Sequence, residues 1–184
     1  MDRSTRQAAR RPRALTELTA LHCLLLPLTR TRQDRRWVTV SWTLGALHLG
    51  LLERRDRLSA ADALTLIRGN LPATTVGASR FAGVLAMASD LVDGRLARRQ
   101  AAVSPFGDYA DSFADAAFWT WLAVRHEPSH TVRAAAIAAW AAPIAAVTAV
   151  AIRRGTMPER PRPALLRPAA AMQGVIALRH LLRR

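Results

Sequence analysis

The chain has 184 residues, the size of one domain, and 51% of them are hydrophobic. Its formal charge is +14 and all 27 basic residues are arginine, a usage that with abundant alanine points to a GC-rich, bacterial source rather than to a mechanism. The arginines cluster between apolar runs instead of following one face, which argues against a nucleic-acid partner and for basic loops at a membrane surface. The single cysteine, Cys23, excludes an internal disulfide, and the 5 histidines (His22, His48, His126, His130 and His180) lack metal-ligand spacing.

Residues 1–13 are polar and Arg-rich and read as a cytoplasmic tail. Residues 14–29 are apolar but carry Glu17, His22 and Pro27. They fall short of the ~20 residues of a perpendicular span, so a tilted span or an interfacial helix is expected. Pro27 interrupts the run and no small-residue cleavage site follows, so it is not read as a signal peptide. Residues 37–52 are uncharged and open with Trp37 and Trp42, which suit a membrane interface; a span is expected there.

Ser59-Ala-Ala-Asp62 can cap a helix that continues through Leu64-Thr65-Leu66-Ile67-Arg68. Val76 to Ser79 reads as a break, and the apolar run from Phe81 to Val92 follows it. One span over 71–92 would set Arg80 near mid-bilayer at high cost. A helical hairpin turning near Gly77 puts Arg80 at the turn instead. At ~1.5 Å per residue it sets Arg68 about 14 Å and Asp90 about 20 Å from that turn, at similar depth and within one site. Ser104-Pro105 breaks the chain again, before a helix over about 108–125 and a polar connection at 125–131. Residues 134–152 are the cleanest span, with a kink expected at Pro143. Residues 153–167 form a Pro/Arg-rich loop, and 168–182 the last apolar helix. The expected fold is all-α, a polytopic integral membrane bundle of about six or seven helices without internal repeats.

Residues 90–115 carry the chemistry. Asp90 and Asp93 are three apart and share a helix face, with Gly94 and Ala97 on or near it. Asp111 and Asp115 share a face of the next helix, with Gly107 one turn before them. The connection from Arg98 to Gly107 is short, so the two helices are expected to be antiparallel neighbours whose acidic ends meet. Four carboxylates converging at a membrane edge repel one another and need cations unless some are protonated. Oxygen ligands without nearby His or Cys point to Mg²⁺ or Mn²⁺. The small residues leave room for a ligand, and Arg98 can meet a phosphate; together these propose a metal-bound diphosphate. Helix caps and small-residue packing explain any one pair, but not all eight positions at fixed spacing.

The pattern Asp90, Asp93, Gly94, Ala97, Arg98, Gly107, Asp111, Asp115 resembles, with no mismatch, the signature of the CDP-alcohol phosphatidyltransferase family. Leu64-Thr65-Leu66-Ile67-Arg68 looks like the opening of that family's first span, and Arg167-Pro-Ala-Ala-Ala-Met-Gln173 like the start of its fifth. The resemblance implies integral membrane enzymes that transfer a phosphatidyl or related substituted phosphoryl group from a CDP-linked lipid donor to an alcohol acceptor, releasing CMP. It implies that Asp90, Asp93, Asp111 and Asp115 hold two Mg²⁺ or Mn²⁺ ions and that Asp115 is also the general base. Gly94, Ala97, Arg98 and Gly107 would line the CDP pocket, with Arg68 as their neighbour. It further implies a cytoplasmic-side active site in the cell membrane, contact with membrane lipid and a possible homodimer.

Three departures accompany it. Only 21 residues separate Arg68 from Asp90, so the hairpin must be short. The chain ends after the fifth family span. Residues 14–58 add apolar segments before the family-like domain of 59–184, and 14–52 could take the place of a sixth helix. Arg153, Arg154, Arg160, Arg162 and Arg167 either bind a phosphorylated alcohol or form a positive-inside loop. The expected function is phosphatidyl transfer in phospholipid biosynthesis; the alternative is a catalytically silent binding or scaffold protein that keeps the fold.

Overall fold

Helix boundaries follow local capping chemistry. Thr31 and Asp34 form a reciprocal capping box, as do Ser59 and Asp62: the Ser59 hydroxyl accepts from the Asp62 N–H at 3.1 Å and Asp62 accepts from the Ser59 N–H at 2.7 Å. Ser104 caps the next helix but one by accepting from the Gly107 N–H, and Pro105 occupies its first turn, where no N–H is missed. The computed structural model describes residues 11–53, 55–99, 104–154 and 163–183. Within them lie seven α-helices: α1 (Pro12–Leu25), α2 (Arg32–His48), α3 (Ala60–Asn70), α4 (Ala82–Arg99), α5 (Pro105–His126), α6 (His130–Arg154) and α7 (Pro163–Leu182). The all-α expectation holds. Most of the expected tail, and Arg160 and Arg162 of the basic loop, lie outside the described residues.

The expected hairpin is present as α3 and α4. A 3-10 turn at Leu71–Ala73 ends the first arm, and the Thr74 hydroxyl donates back to the Leu71 carbonyl at 2.9 Å. The returning chain comes so close that a Cβ on Gly77 would stand 2.1 Å from the Leu71 oxygen, so only glycine fits. Arg80 lies just beyond, over the Phe81 ring at 4.9 Å.

Two cores hold the helices. The larger joins α4, α5, α6 and α7 through Ala82, Ala86, Phe118, Trp119, Leu122, Ala136, Ile176 and Ala177. Small residues bring α4 and α7 into backbone contact, since a Cβ on Gly83 would sit 2.9 Å from the Ala177 Cα. The second core is made by Ala14, Leu18, Ala46, Leu49 and Leu52 with Leu66 of α3 and Phe106 of α5. The N-terminal pair therefore packs on the hairpin and on the start of α5. Polar ties reinforce it: Trp37 donates to the Gly69 carbonyl at 2.9 Å, and Asn70 donates to the Ser41 hydroxyl at 2.8 Å.

Among the described residues no helix is long and apolar enough to cross a membrane. Of these helices α2 has only 17 residues and carries Arg35 and Arg36, α5 carries Asp108, Asp111 and Asp115, and α7 carries Arg167 and Arg179. The outer surface nevertheless exposes large apolar side chains, including Leu24, Val40, Leu91, Val124 and Leu178.

Candidate active site

Arg68 is the centre of the acidic cluster. It lies on α3 one turn after Thr65, and its side chain is completely buried. One guanidinium nitrogen lies 2.8 Å from Asp93 and 3.1 Å from Asp90 of α4; the other terminal nitrogen donates to Asp111 of α5. The Nε faces the Asp115 carboxylate at 3.2 Å, without the angle of a hydrogen bond. Three helices thus bring four carboxylates to one cation. The α3–α4 hairpin sets Arg68 beside Asp90 and Asp93, and α5 supplies the second pair from one face, four residues apart.

The carboxylates differ in surroundings. Asp93 is buried and also accepts from the Thr65 hydroxyl at 2.9 Å. Asp90 and Asp111 are roughly half exposed, while Asp115 lies deeper along α5 and accepts from Gln173 of α7 at 3.4 Å. Four carboxylates against one guanidinium leave a formal excess of three negative charges. Such an excess in a half-buried setting calls for further cations.

The donor set fits divalent cations of the hard, oxygen-liking kind. Asp90, Asp93 and Asp111 each offer an oxygen within 4.8 Å of the others. One Asp115 oxygen is buried with no hydrogen-bond donor. Asp90, Asp93 and Asp111, with Asp115 behind them, are the residues that could hold such a cation.

A polar cleft of about 680 Å³ opens from these acids between α3, α4 and the start of α5. Asp90, Asp93, Asp111, Gly94, Ala97, Arg98 and Gly107 all line it. A Cβ on Gly107 would approach the Asp62 carboxylate at 3.1 Å, so that glycine keeps the cleft open there, whereas one on Gly94 would make only ordinary contact with the Arg98 guanidinium at 3.4 Å. Asp115 and Arg68 do not line it; they sit behind the acids at its inner end.

Several residues at the site were not singled out from sequence. Thr65 had a signal, because it shares a helix face with Arg68. Asp62 read only as a cap, yet it is buried, lines the cleft and receives Arg55 at 2.9 Å. Arg55 also donates to the Ser104 hydroxyl, joining the N-termini of α3 and α5 at the cleft mouth. Gln173 lay within a motif-like stretch, but its contact with Asp115 spans 58 residues of chain and no local pattern announces it.

A family model described as CDP-alcohol phosphatidyltransferase matches residues 59–182. No curated protein and no solved structure matches the chain. The chain belongs to the CDP-alcohol phosphatidyltransferase family.

Proposed function

We propose, from that membership, that the protein transfers a phosphatidyl group from CDP-diacylglycerol to an alcohol and releases CMP. The observation that carries the proposal is the convergence of Asp90, Asp93, Asp111 and Asp115 on the inner end of a cleft lined by Gly94, Ala97, Arg98 and Gly107. In the reaction the acceptor oxygen forms a bond to the phosphatidyl phosphorus. The diphosphate P–O bond breaks, and CMP leaves with the bonding electrons.

Asp90, Asp93, Asp111 and Asp115 would hold two divalent ions, which neutralise diphosphate charge and favour the departure of CMP. Gly94 and Gly107 let the nucleotide approach the helix backbones, and Arg98 at the rim meets a phosphate as a planar cation. Asp115 takes the proton of the attacking hydroxyl at its carboxylate oxygen, oriented by Gln173. Arg68 stays behind the acids and fixes their spacing. The exposed apolar side chains and the basic clusters at chain turns support a protein embedded in the cell membrane, with this cleft on the cytoplasmic side.

The test is to incubate purified protein with Mn²⁺ or Mg²⁺, CDP-diacylglycerol and a panel of alcohols, and to measure CMP. Release that depends on metal and acceptor is expected. Asp115→Asn should lower turnover by a factor on the order of 10²–10⁴ while donor binding persists; undiminished turnover would remove Asp115 as the base. A second reading draws on Arg68, which already pairs with all four acids: a silent protein in which the cluster is only a structural ion knot. It predicts no CMP release from any donor and no thermal shift with CDP plus Mn²⁺.

A further inference from the structure

Beside the polar cleft runs a second cavity of opposite character. It has a volume of about 380 Å³ and lies between α2 and α5, with α3 as its floor. Along α2 it is bordered from Gln33 to His48, a length of ~22 Å at 1.5 Å per residue. Trp37, Val40 and Leu44 supply its wall there, at spacings of three and four that place them on one helix face. Tyr109, Phe113 and Ala117 do the same along α5. Gly69 of this floor lets α3 pack closely against α5, since a Cβ there would come within 3.2 Å of the Ala114 Cβ.

Two features point to its occupant. Val40, Leu44, Tyr109 and Phe113 are exposed along its edges, so the cavity is an open apolar slot rather than a sealed void. It also adjoins the acidic cleft: Thr65 lines both, and its hydroxyl donates to Asp93 at 2.9 Å. A cavity whose carboxylates would hold divalent cations for a phosphorylated head, and an apolar slot of this length separated from it by one side chain, match a single amphiphile with that head and a hydrocarbon tail.

We infer that the slot between α2 and α5 receives one acyl chain of the CDP-linked donor while its diphosphate occupies the cleft beyond Thr65. The inference rests on the proposed transferase reading. It adds that one wall of the tail site comes from α2, which precedes the family-matched residues 59–182. Trp37, Val40 and Leu44 are then contacts that read the donor's chain.

The test uses the full chain in lipid nanodiscs with Mn²⁺ and CDP-diacylglycerol bearing a diazirine midway along one acyl chain. The expected result is photolabelling of peptides covering 33–48 and 105–117, suppressed by excess unlabelled CDP-diacylglycerol. A second arm compares dioleoyl and dihexanoyl donors: Ala117→Phe, which fills the slot, should lower kcat/KM for the long-chain donor at least tenfold more than for the short-chain one. Label confined to other helices would overturn the inference. So would equal label from a diazirine-bearing phosphatidylglycerol that CDP-diacylglycerol does not displace, which would mark a resident membrane lipid. Crosslinks between two copies through α2 would assign the slot to a dimer interface instead. CMP release without label in the slot defeats this inference alone, whereas no CMP from either donor defeats the transferase reading.

Discussion

Arg68 brings one positive charge to a cluster of four carboxylates, and its removal isolates the consequences of that arrangement. Arg68→Met leaves the acids facing one another without a protein cation, which should cost about 3–5 kcal/mol, the range for breaking a buried ion pair. Mn²⁺ should recover much of that loss, because the vacated carboxylates gain a replacement cation; melting curves with Mn²⁺ and with chelator read both effects. Equal loss under both conditions would show that the acids do not take up metal. At this scale much of the cluster was legible in the sequence. Asp90 and Asp93, like Asp111 and Asp115, announce shared faces by spacing alone, and the hairpin argument sets Arg68 beside Asp90. What escaped were roles set by distant chain: Gln173 reaching Asp115, and Arg55 reaching both Asp62 and Ser104. Spacing reports neighbours on one helix and is silent about which helix arrives opposite.

Among the elements, close approach and ion pairing fix how α7 sits. Gly83→Ala would drive a methyl group against the Ala177 backbone, so α4 and α7 must separate. The expected cost is about 1–3 kcal/mol. Because Gln173 lies one turn before Ala177 on α7, turnover should fall along with the melting temperature. At the other end of the bundle, Glu127 in the α5–α6 connection is buried and pairs with Arg179 at 2.9 Å and Arg183 at 2.8 Å. Hydrogen bonding from Arg179, helped by the Ser129 N–H and Arg183, lowers its pKa to about 2 from the ordinary 4.5. The folded state thus binds its proton less readily than the unfolded chain, so the stabilisation is full above about pH 4.5 and is lost as pH falls towards 2. Glu127→Gln should remove that portion of the acid transition in a pH series of melts. Helix starts at Thr31, Ser59 and Ser104 were readable because capping is local chemistry. The last helix was expected from residue 168 but begins at Pro163, since Pro168 is accommodated inside it.

For the whole molecule, the apolar exterior and the absence, among the described residues, of a helix able to cross a membrane set the terms. Large side chains such as Leu91, Val124 and Leu178 stand exposed on that exterior. The membrane embedding proposed above predicts that the protein stays with membranes through an alkaline carbonate wash and leaves only with detergent; release by carbonate alone would contradict it. The N-terminal helices belong to the same packed body, because Arg11 donates to the Glu53 and Arg55 carbonyls and Glu17 accepts from the Leu58 N–H at 2.8 Å. The hairpin has a consequence for the order in which the site is made. Thr65, Arg68, Asp90 and Asp93 close over at most 28 residues of chain, so half of the acidic cluster can assemble with its counter-charge while the rest of the protein is still being synthesised. Asp111 and Asp115 then arrive with α5, and Gln173 comes last, completing the site around a nucleus whose two carboxylates already share one internal cation.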